Sequence, residues 1–285
     1  MPELPEVETV RRTLEAAVRG KRIASVRVHR ADVVRGSDAL LVGERIDRVV
    51  RKGKQLAMVS DGGQKKNTAC RCACVHLGMS GSLRVVHRSD SDAPRDPHVH
   101  VVWELPDGTQ VRFRDPRRFG GVWGLADEAE LLDTRWNKLG PDALVITPGQ
   151  LHAGLSRTKR ALKAALLDQH LVAGLGNIYV DELLFATRLH PLKPACGITK
   201  PESQRLIRAM RRILNRATQA GGSTLRDYVD ATGRSGGFQM QHKAYGRGGE
   251  PCRGCGEPLD TMVVAGRTTT ACNHCQLGSI VSRER

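Results

Sequence analysis

The chain opens MPELPEVETV, with Pro2, Glu3 and Glu6 inside its first six residues. If Met1 is removed, Pro2 presents a secondary amine. An α-amine has a pKa of about 7.7–8.0 against about 10.4 for lysine, so roughly a tenth of it is neutral at pH 7. A neutral amine adds to a carbonyl carbon and yields a Schiff base. With proline the adduct is an iminium whose positive charge draws electrons from the adjacent carbon and favours β-elimination of a phosphate. Proline's amine is more basic than the generic case, so this chemistry requires nearby cations that lower its pKa. Glu3, one residue on, is close enough to move protons at the same centre. The same residues also suit a plain helix start, where proline in the first turn and acids near the N-terminus are favourable. On this stretch alone the helix start is the simpler account.

A second set of chemically capable residues lies near the other end, spaced Cys252-x2-Cys255-x16-Cys272-x2-Cys275. Two CxxC knuckles can deliver four thiolates to one tetrahedral zinc, and with all four positions filled the metal shapes a hairpin and does no chemistry. Between the knuckles, TMVV and TTTA read as strands turning at Ala265-Gly266-Arg267. Arg267 at such a tip is a candidate phosphate contact or, equally, a solvated charge. In Gly174-Leu175-Gly176-Asn177 the asparagine is placed to cap a following helix, whose first amides would attract phosphate. Tyr179 stands where a dinucleotide fingerprint needs a third glycine and the preceding segment reads as helix instead of strand, both of which argue against a Rossmann site.

The elements that must position these groups follow from the patterning. Val7, Val10, Leu14 and Val18 recur at helical spacing and Gly20 stops the helix. From Ile23 to about Leu125 short apolar runs alternate with turns such as DGG at 61 and PDG at 106, which predicts β-structure in a sandwich fronted by one helix. The stretch 126–150, with Pro141, Pro148 and Gly149, reads as a linker. Beyond it 157–171, 177–189 and 201–220 read as helices. Residues 221–249 are glycine-rich and read as a long mobile loop. Cys70, Cys72 and Cys74 alternate as on one face of a strand, so they read as buried thiols.

The net charge of +15 leans toward the C-terminal half and suits a polyanion, with nucleic acid preferred over an anionic membrane surface. No apolar run reaches the length of a membrane span, and no secretory signal is read at the start, so a cytoplasmic, nucleoid-associated protein is expected. Eight cysteines in such a chain argue for metal or free thiols over disulfides.

Seven segments in order, MPELPEVETVRR, RKGKQLAM, VHLGMSGSLR, RFRDPRRFGG, LLDQHLVAGLGNIYVDELLF, KAYGRGGEPCRGCG and GRTTTACNHCQ, closely resemble formamidopyrimidine-DNA glycosylase across nearly the whole chain. The resemblance implies an α+β multi-domain fold. It has a catalytic β-sandwich domain with a leading helix over 1–135, a linker over 136–150, a helix-two-turn-helix domain with a lesion-recognition loop over 151–245 and a zinc finger over 246–285. It implies base excision repair: removal of oxidised purines from duplex DNA and β,δ-elimination at the abasic site through an N-terminal proline Schiff base.

By the same resemblance Pro2 is the nucleophile, Glu3 its proton donor, Lys54 a lysine of the β-elimination step, and Arg267 a phosphate and δ-elimination residue. Met79, Arg117 and Phe119 match a trio that fills the gap left by an extruded nucleotide, although residue type alone would place Met79 and Phe119 in a core. Glu6, His76, His98, Lys159 and Asn177 fall at positions that line the site or contact DNA. The implied cofactor is one structural zinc on Cys252, Cys255, Cys272 and Cys275, and the implied partner is damaged double-stranded DNA, bound by a monomer with no membrane association. Departures are Thr158 in a usually basic pair, Gly237 where an aromatic is common, and Ala271 before the third cysteine. Two rivals stand beside this expectation. One is an endonuclease VIII-type glycosylase for oxidised pyrimidines, whose start usually reads PEGPE where this chain has Leu4. The other is a zinc-stabilised binder of damaged DNA that does not cut.

Overall fold

The helix at the chain start, α1, spans Leu4–Val18 and begins earlier than its apolar spacing indicates. Glu6 accounts for this. Its Oε2 accepts the N–H of Glu3 at 2.8 Å, forming a capping box, while Pro5 in the first turn has no N–H to leave unsatisfied. The computed structural model describes residues 1–36, 40–62, 71–88, 96–225 and 228–276, in two units. One unit comprises Met1–Lys138 with Thr218–Gln239, the other Leu139–Ala217 with Met240–Arg285.

In the first unit β1 (Ser25–Val28), β7 (Val99–Glu104), β8 (Thr109–Arg114) and β6 (Ser82–His87) form an antiparallel sheet in that order. β2 (Val34–Gly36), β9 (Gly121–Leu125), β5 (Cys72–His76), β4 (Gln55–Ser60) and β3 (Ile46–Lys52) form a second sheet, antiparallel except for the β2–β9 pair. Trp103, Phe113, Val101 and Val111 from the first sheet meet Met58, Leu56, Val75 and Val122 from the second. Val7, Val10, Leu14 and Val18 of α1 join the same core. This is the sandwich that the alternating pattern predicts.

Ala73 and Val75 face that core, so Cys72 and Cys74 point to the opposite face of β5, where both are buried. The Cys74 thiol donates to Gln55 Oε1 at 3.5 Å, and burial pushes its pKa up to about 12, which makes it an inert thiol. Cys70 lies outside the described residues.

The stretch read as a linker is more ordered than its prolines suggest. It carries α2 (Glu128–Leu131), capped by Asp127, and one π-helical turn over Leu132–Trp136. Lys52 Nζ donates to the Trp136 carbonyl at 2.7 Å, and the Arg135 guanidinium stacks 3.7 Å from the Trp123 ring centroid.

Glu8 is the electrostatic centre of α1. It accepts from Arg11, Arg12 and Arg51, the last only 8% exposed. Burial alone would raise its pKa, but the three guanidinium hydrogen bonds overcome that and hold it at about 2, against an ordinary 4.5. A carboxyl depressed in the fold contributes stability that is fully present above its unfolded pKa and lost as pH falls through the folded value, here between about 4.5 and 2. Glu8→Gln is expected to cost about 2–4 kcal/mol at pH 7, because Arg51 then loses its buried carboxylate. Urea denaturation should show the gap between variant and wild type closing as pH drops from 5 toward 2.

The second unit contains α3 (Pro148–Ser156), α4 (Leu162–Leu166), α5 (Asn177–Thr187), α6 (Lys200–Gln219) and the hairpin β10 (Asp260–Val264) and β11 (Arg267–Ala271). The stretch 157–171 is helical only over α4, against the continuous helix read from sequence. The Gln169 side chain explains the stop: its amide donates to the carbonyls of Leu167 and Leu175 and its Oε1 accepts from Gly174 N, binding the following loop in place of another helical turn.

The glycine-rich stretch is anchored, contrary to the mobile loop that its composition predicts. In the first unit Ser223 N donates to Glu6 Oε1 at 2.7 Å, Phe238 N to Gly222 O, and Val85 N to Ala231 O. In the second unit the N–H groups of Lys243, Ala244 and Tyr245 converge on the buried Glu182 carboxylate. Side-chain carboxylates replace the backbone ladder here, so low apolar content does not leave the chain untethered.

Candidate active site and nucleic-acid interface

Met1 is half exposed, and burial begins directly behind it. Pro2 is buried, and Glu3 and Glu6 are 3% and 1% exposed. Glu6 joins two distant segments, since one carboxylate oxygen takes Glu3 N, the other takes Ser223 N, and its carbonyl accepts the Tyr228 hydroxyl at 3.1 Å. Gly222, at φ +83°, is required beside it, because a Cβ there would come within 2.9 Å of Glu6 Oε1.

Lys54 occupies the tight turn between β3 and β4. Gly53 supplies φ +58° at its first central position, as a type II′ hairpin demands. The lysine is only 8% exposed. The terminal amine, here on Met1, has its pKa lowered below 8.0 by burial; Glu3 and Glu6 oppose the shift, and Lys54 and Arg117 add to it. Pro2, Glu3, Glu6, Lys54 and Arg117 are therefore brought into one electrostatic neighbourhood.

Met79 and Phe119 are 49% and 54% exposed, which rules out the core-packing alternative for both. The Arg117 guanidinium lies 4.8 Å from the Phe119 ring centroid. The two loops that present these side chains are locked together by a residue that sequence reasoning missed, the fully buried Asp115. Its Oδ1 accepts the Ser80 hydroxyl at 2.6 Å and its Oδ2 accepts Gly120 N at 2.7 Å, while Ser80 Oγ in turn accepts Arg117 N at 3.2 Å. Gly78 and Gly120 permit the contact, since a Cβ on Gly78 would lie 2.4 Å from Gly120 N. The available signal was the aspartate beginning DPRRFG, but its partner Ser80 is 35 residues away.

His76, at the end of β5, is half-buried, and its pKa falls to about 4 through burial and the charges of Arg135 and Lys54, so it is neutral at pH 7. His98 is also half-buried, and its N–H donates to Asp96 Oδ1.

The remaining sequence-derived candidates lie in the second unit. Asn177 does not cap α5, contrary to expectation. Gly176 is the cap residue, and Asn177 Nδ2 donates to Thr268 O at 2.9 Å, which ties the helix start to the hairpin. Lys163, wholly buried, donates to Asp181 Oδ1 at 2.6 Å and to the same Thr268 carbonyl at 3.3 Å, while Asp181 Oδ2 accepts Thr270 N. Sequence reading passed over this pair because lysine is almost never buried unless it is matched to a partner. Arg267 is exposed at the start of β11, next to a two-residue turn whose Ala265 and Gly266 both have positive φ. Lys159 is exposed.

The four cysteine sulfurs lie within 4.8 Å of one another, with Cys252–Cys275 at 3.9 Å and Cys255–Cys272 at 3.5 Å. Sulfurs about 2.3 Å from a tetrahedral zinc are separated by about 3.8 Å, so the donor set fits that ion. Leu259 and Phe185 pack against the knuckles.

A sandwich unit with Pro2 and two carboxylates buried just behind its first residue, and a helical unit carrying a four-cysteine hairpin, are the architecture of a DNA glycosylase. Residues 1–122 match the formamidopyrimidine-DNA glycosylase N-terminal domain, 139–229 its H2TH domain, and 249–277 the zinc finger found in FPG and IleRS. The formamidopyrimidine-DNA glycosylase of Thermus thermophilus is 43% identical over 283 residues, covering 97% of this chain and 98% of the relative. That of Bacillus licheniformis is 41% identical, covering 97% and 99%. The crystal structure of the Thermus thermophilus MutM (Fpg) protein superposes with a TM-score of 0.84 at 41% identity, covering 96% of this chain and 98% of that one. A Lactococcus lactis Fpg variant in complex with Fapy-dG containing DNA gives 0.86 at 33% identity, covering 97% and 100%. The chain belongs to the formamidopyrimidine-DNA glycosylase family and is an enzyme, a DNA glycosylase acting on damaged DNA.

Proposed function

We propose that this enzyme removes oxidised purines, 8-oxoguanine and formamidopyrimidines, from duplex DNA and then cleaves the abasic strand by β,δ-elimination through Pro2. The terminal amine that feels Glu3, Glu6, Lys54 and Arg117, with the buried Pro2 next in the chain, is the observation that carries the proposal. Once Met1 is removed, the amine moves one residue inward onto Pro2, which is itself buried. A lowered pKa leaves more of that amine neutral at pH 7.

In the proposed sequence the Pro2 nitrogen attacks C1′ of the damaged nucleotide while the glycosidic bond breaks, and the base departs with its electron pair and a proton. Glu3 protonates the sugar oxygen as the ring opens, giving the iminium. Loss of a C2′ proton expels the 3′ phosphate, with Lys54 close enough to assist, and a second elimination expels the 5′ phosphate, where Arg267 supplies charge. Water then releases Pro2. Met79, Arg117 and Phe119 fill the space vacated by the turned-out nucleotide, Arg117 bonding the orphaned base. His76 and His98, with Lys159 and Asn177, contact the DNA backbone, and the enzyme acts as a monomer. Family relatives support the substrate assignment: Lactococcus lactis Fpg is solved with Fapy-dG containing DNA and with abasic-site DNA.

Cys252, Cys255, Cys272 and Cys275 would hold one zinc, which when bound supplies only rigidity to the hairpin bearing Arg267. Chelation, or Cys272→Ser, is expected to release one equivalent of zinc and reduce strand cleavage by at least about tenfold, with the first unit still folded. Metal analysis alongside limited proteolysis checks both parts.

Cleavage of duplexes carrying 8-oxoguanine or thymine glycol tests the assignment. Preference for the oxidised purine is expected. Equal cutting of both would favour the endonuclease VIII-type alternative, and binding of either without cutting would mark a non-catalytic binder.

A further inference from the structure

α6 exposes a stripe of arginines for which the proposed lesion site has no use. Arg205, Arg208, Arg212 and Arg216 are all exposed. At about 100° per residue they fall within a sector of about 80°, and along the helix they span about 16 Å. The opposite face, with Leu206, Ile207, Met210, Leu214 and Ala217, is buried. Glu202 is the only acid in the helix. It is already bonded by Lys193 at 2.6 Å and reaches only Arg205, at 4.0 Å.

Some exposed arginines elsewhere are set against carboxylates, as in Arg27–Glu104, Arg118–Asp32 and Arg160–Asp168, whereas Arg208, Arg212 and Arg216 share one helix face that carries no acid among them. A solvated helix face ordinarily interleaves acids at i,i+4, which gains about 0.2–0.5 kcal/mol per pair, whereas Arg208–Arg212 and Arg212–Arg216 are like-charge i,i+4 pairs that lose about as much. Arginine at every charged position of the stripe also suits phosphate, which its planar fork binds bidentately.

We infer that this face of α6 is a second phosphate-binding surface, occupied by duplex DNA outside the segment that a lesion-length oligonucleotide covers. The inference rests on the DNA-repair role proposed above. Charge complementarity identifies the occupant, and the span of about 16 Å corresponds to about five phosphates of one strand along the duplex axis. On long DNA such a surface would hold the enzyme near the duplex between lesion encounters.

The test uses the zinc-loaded full chain and the triple variant R208Q/R212Q/R216Q. Cutting of a short 8-oxoguanine duplex of about one and a half turns should be unchanged, which keeps the lesion site separate from this surface. On a lesion-free duplex several times longer, affinity should fall at least about tenfold, and the slope of log K against log salt should become shallower by about 3. Circular dichroism should show equal helix content and a melting temperature no lower than wild type. Unchanged affinity and slope on long DNA would overturn the inference, leaving a solvated face. So would a variant that keeps its long-DNA binding but loses binding to vesicles containing anionic lipid, since the occupant would then be a membrane. Failure of wild type to cut any lesion duplex would instead strike the proposed function, and the salt slopes would still report on α6.

Discussion

An N-terminal extension that places the Pro2 nitrogen in an amide bond is expected to abolish covalent trapping by borohydride on an abasic duplex, and to slow strand cleavage by about 10³-fold or more. An amide nitrogen shares its lone pair with the carbonyl and does not add to a sugar aldehyde. Proteolytic removal of the extension up to Pro2 should restore trapping, which separates blocked chemistry from misfolding. The pH profile carries a second expectation. Burial lowers the pKa of the amine on Met1, with Lys54 and Arg117 adding to the shift and Glu3 and Glu6 opposing it, and the same surroundings at Pro2 should move the trapping midpoint below that of a solvent-exposed prolyl amine. Lys54→Gln removes one of those cations and should move the midpoint to higher pH. Trapping that survives an intact extension would make a lysine the nucleophile and end the Pro2 mechanism.

The double variant Met79→Ala, Phe119→Ala should lose base excision from a paired duplex by about 10²-fold while keeping its folding stability within about 0.5 kcal/mol. Both side chains are about half exposed, so their removal opens no core cavity. The expected loss reflects the few kcal/mol that an apolar wedge contributes when it replaces a stacked base. Nicking of a preformed abasic site, which has no base to extrude, should suffer far less. A melting temperature lowered by several degrees, with excision unchanged, would return both residues to a packing role. Asp115 provides the contrast, since it is buried and clamps both loops through Ser80 and Gly120.

Features set by neighbours a few residues apart were legible in the sequence. The amphipathic spacing of α1, the strand alternation of the sandwich and the two CxxC knuckles each depend on backbone geometry that repeats within one or two turns. Cys252, Cys255, Cys272 and Cys275 converge as their spacing requires. Composition misled where side chains took over the work of the backbone. The glycine-rich stretch looked untethered because its anchors, Glu6 and Glu182, lie far away in sequence, and 157–171 looked like one helix because nothing local announces that Gln169 will bind the loop after it.

Tertiary structure alone decided which polar groups are buried and with what partner. Ser223 meets Glu6 across 217 residues, Ser80 meets Asp115 across 35, and Lys163 is enclosed with Asp181 and the hairpin carbonyl of Thr268. A buried charge is tolerable only when a partner arrives from elsewhere in the fold, and that arrival depends on chain closure, which no window of residues encodes. The same closure left Met79 and Phe119 in solvent, where residue type by itself would have put them in a core.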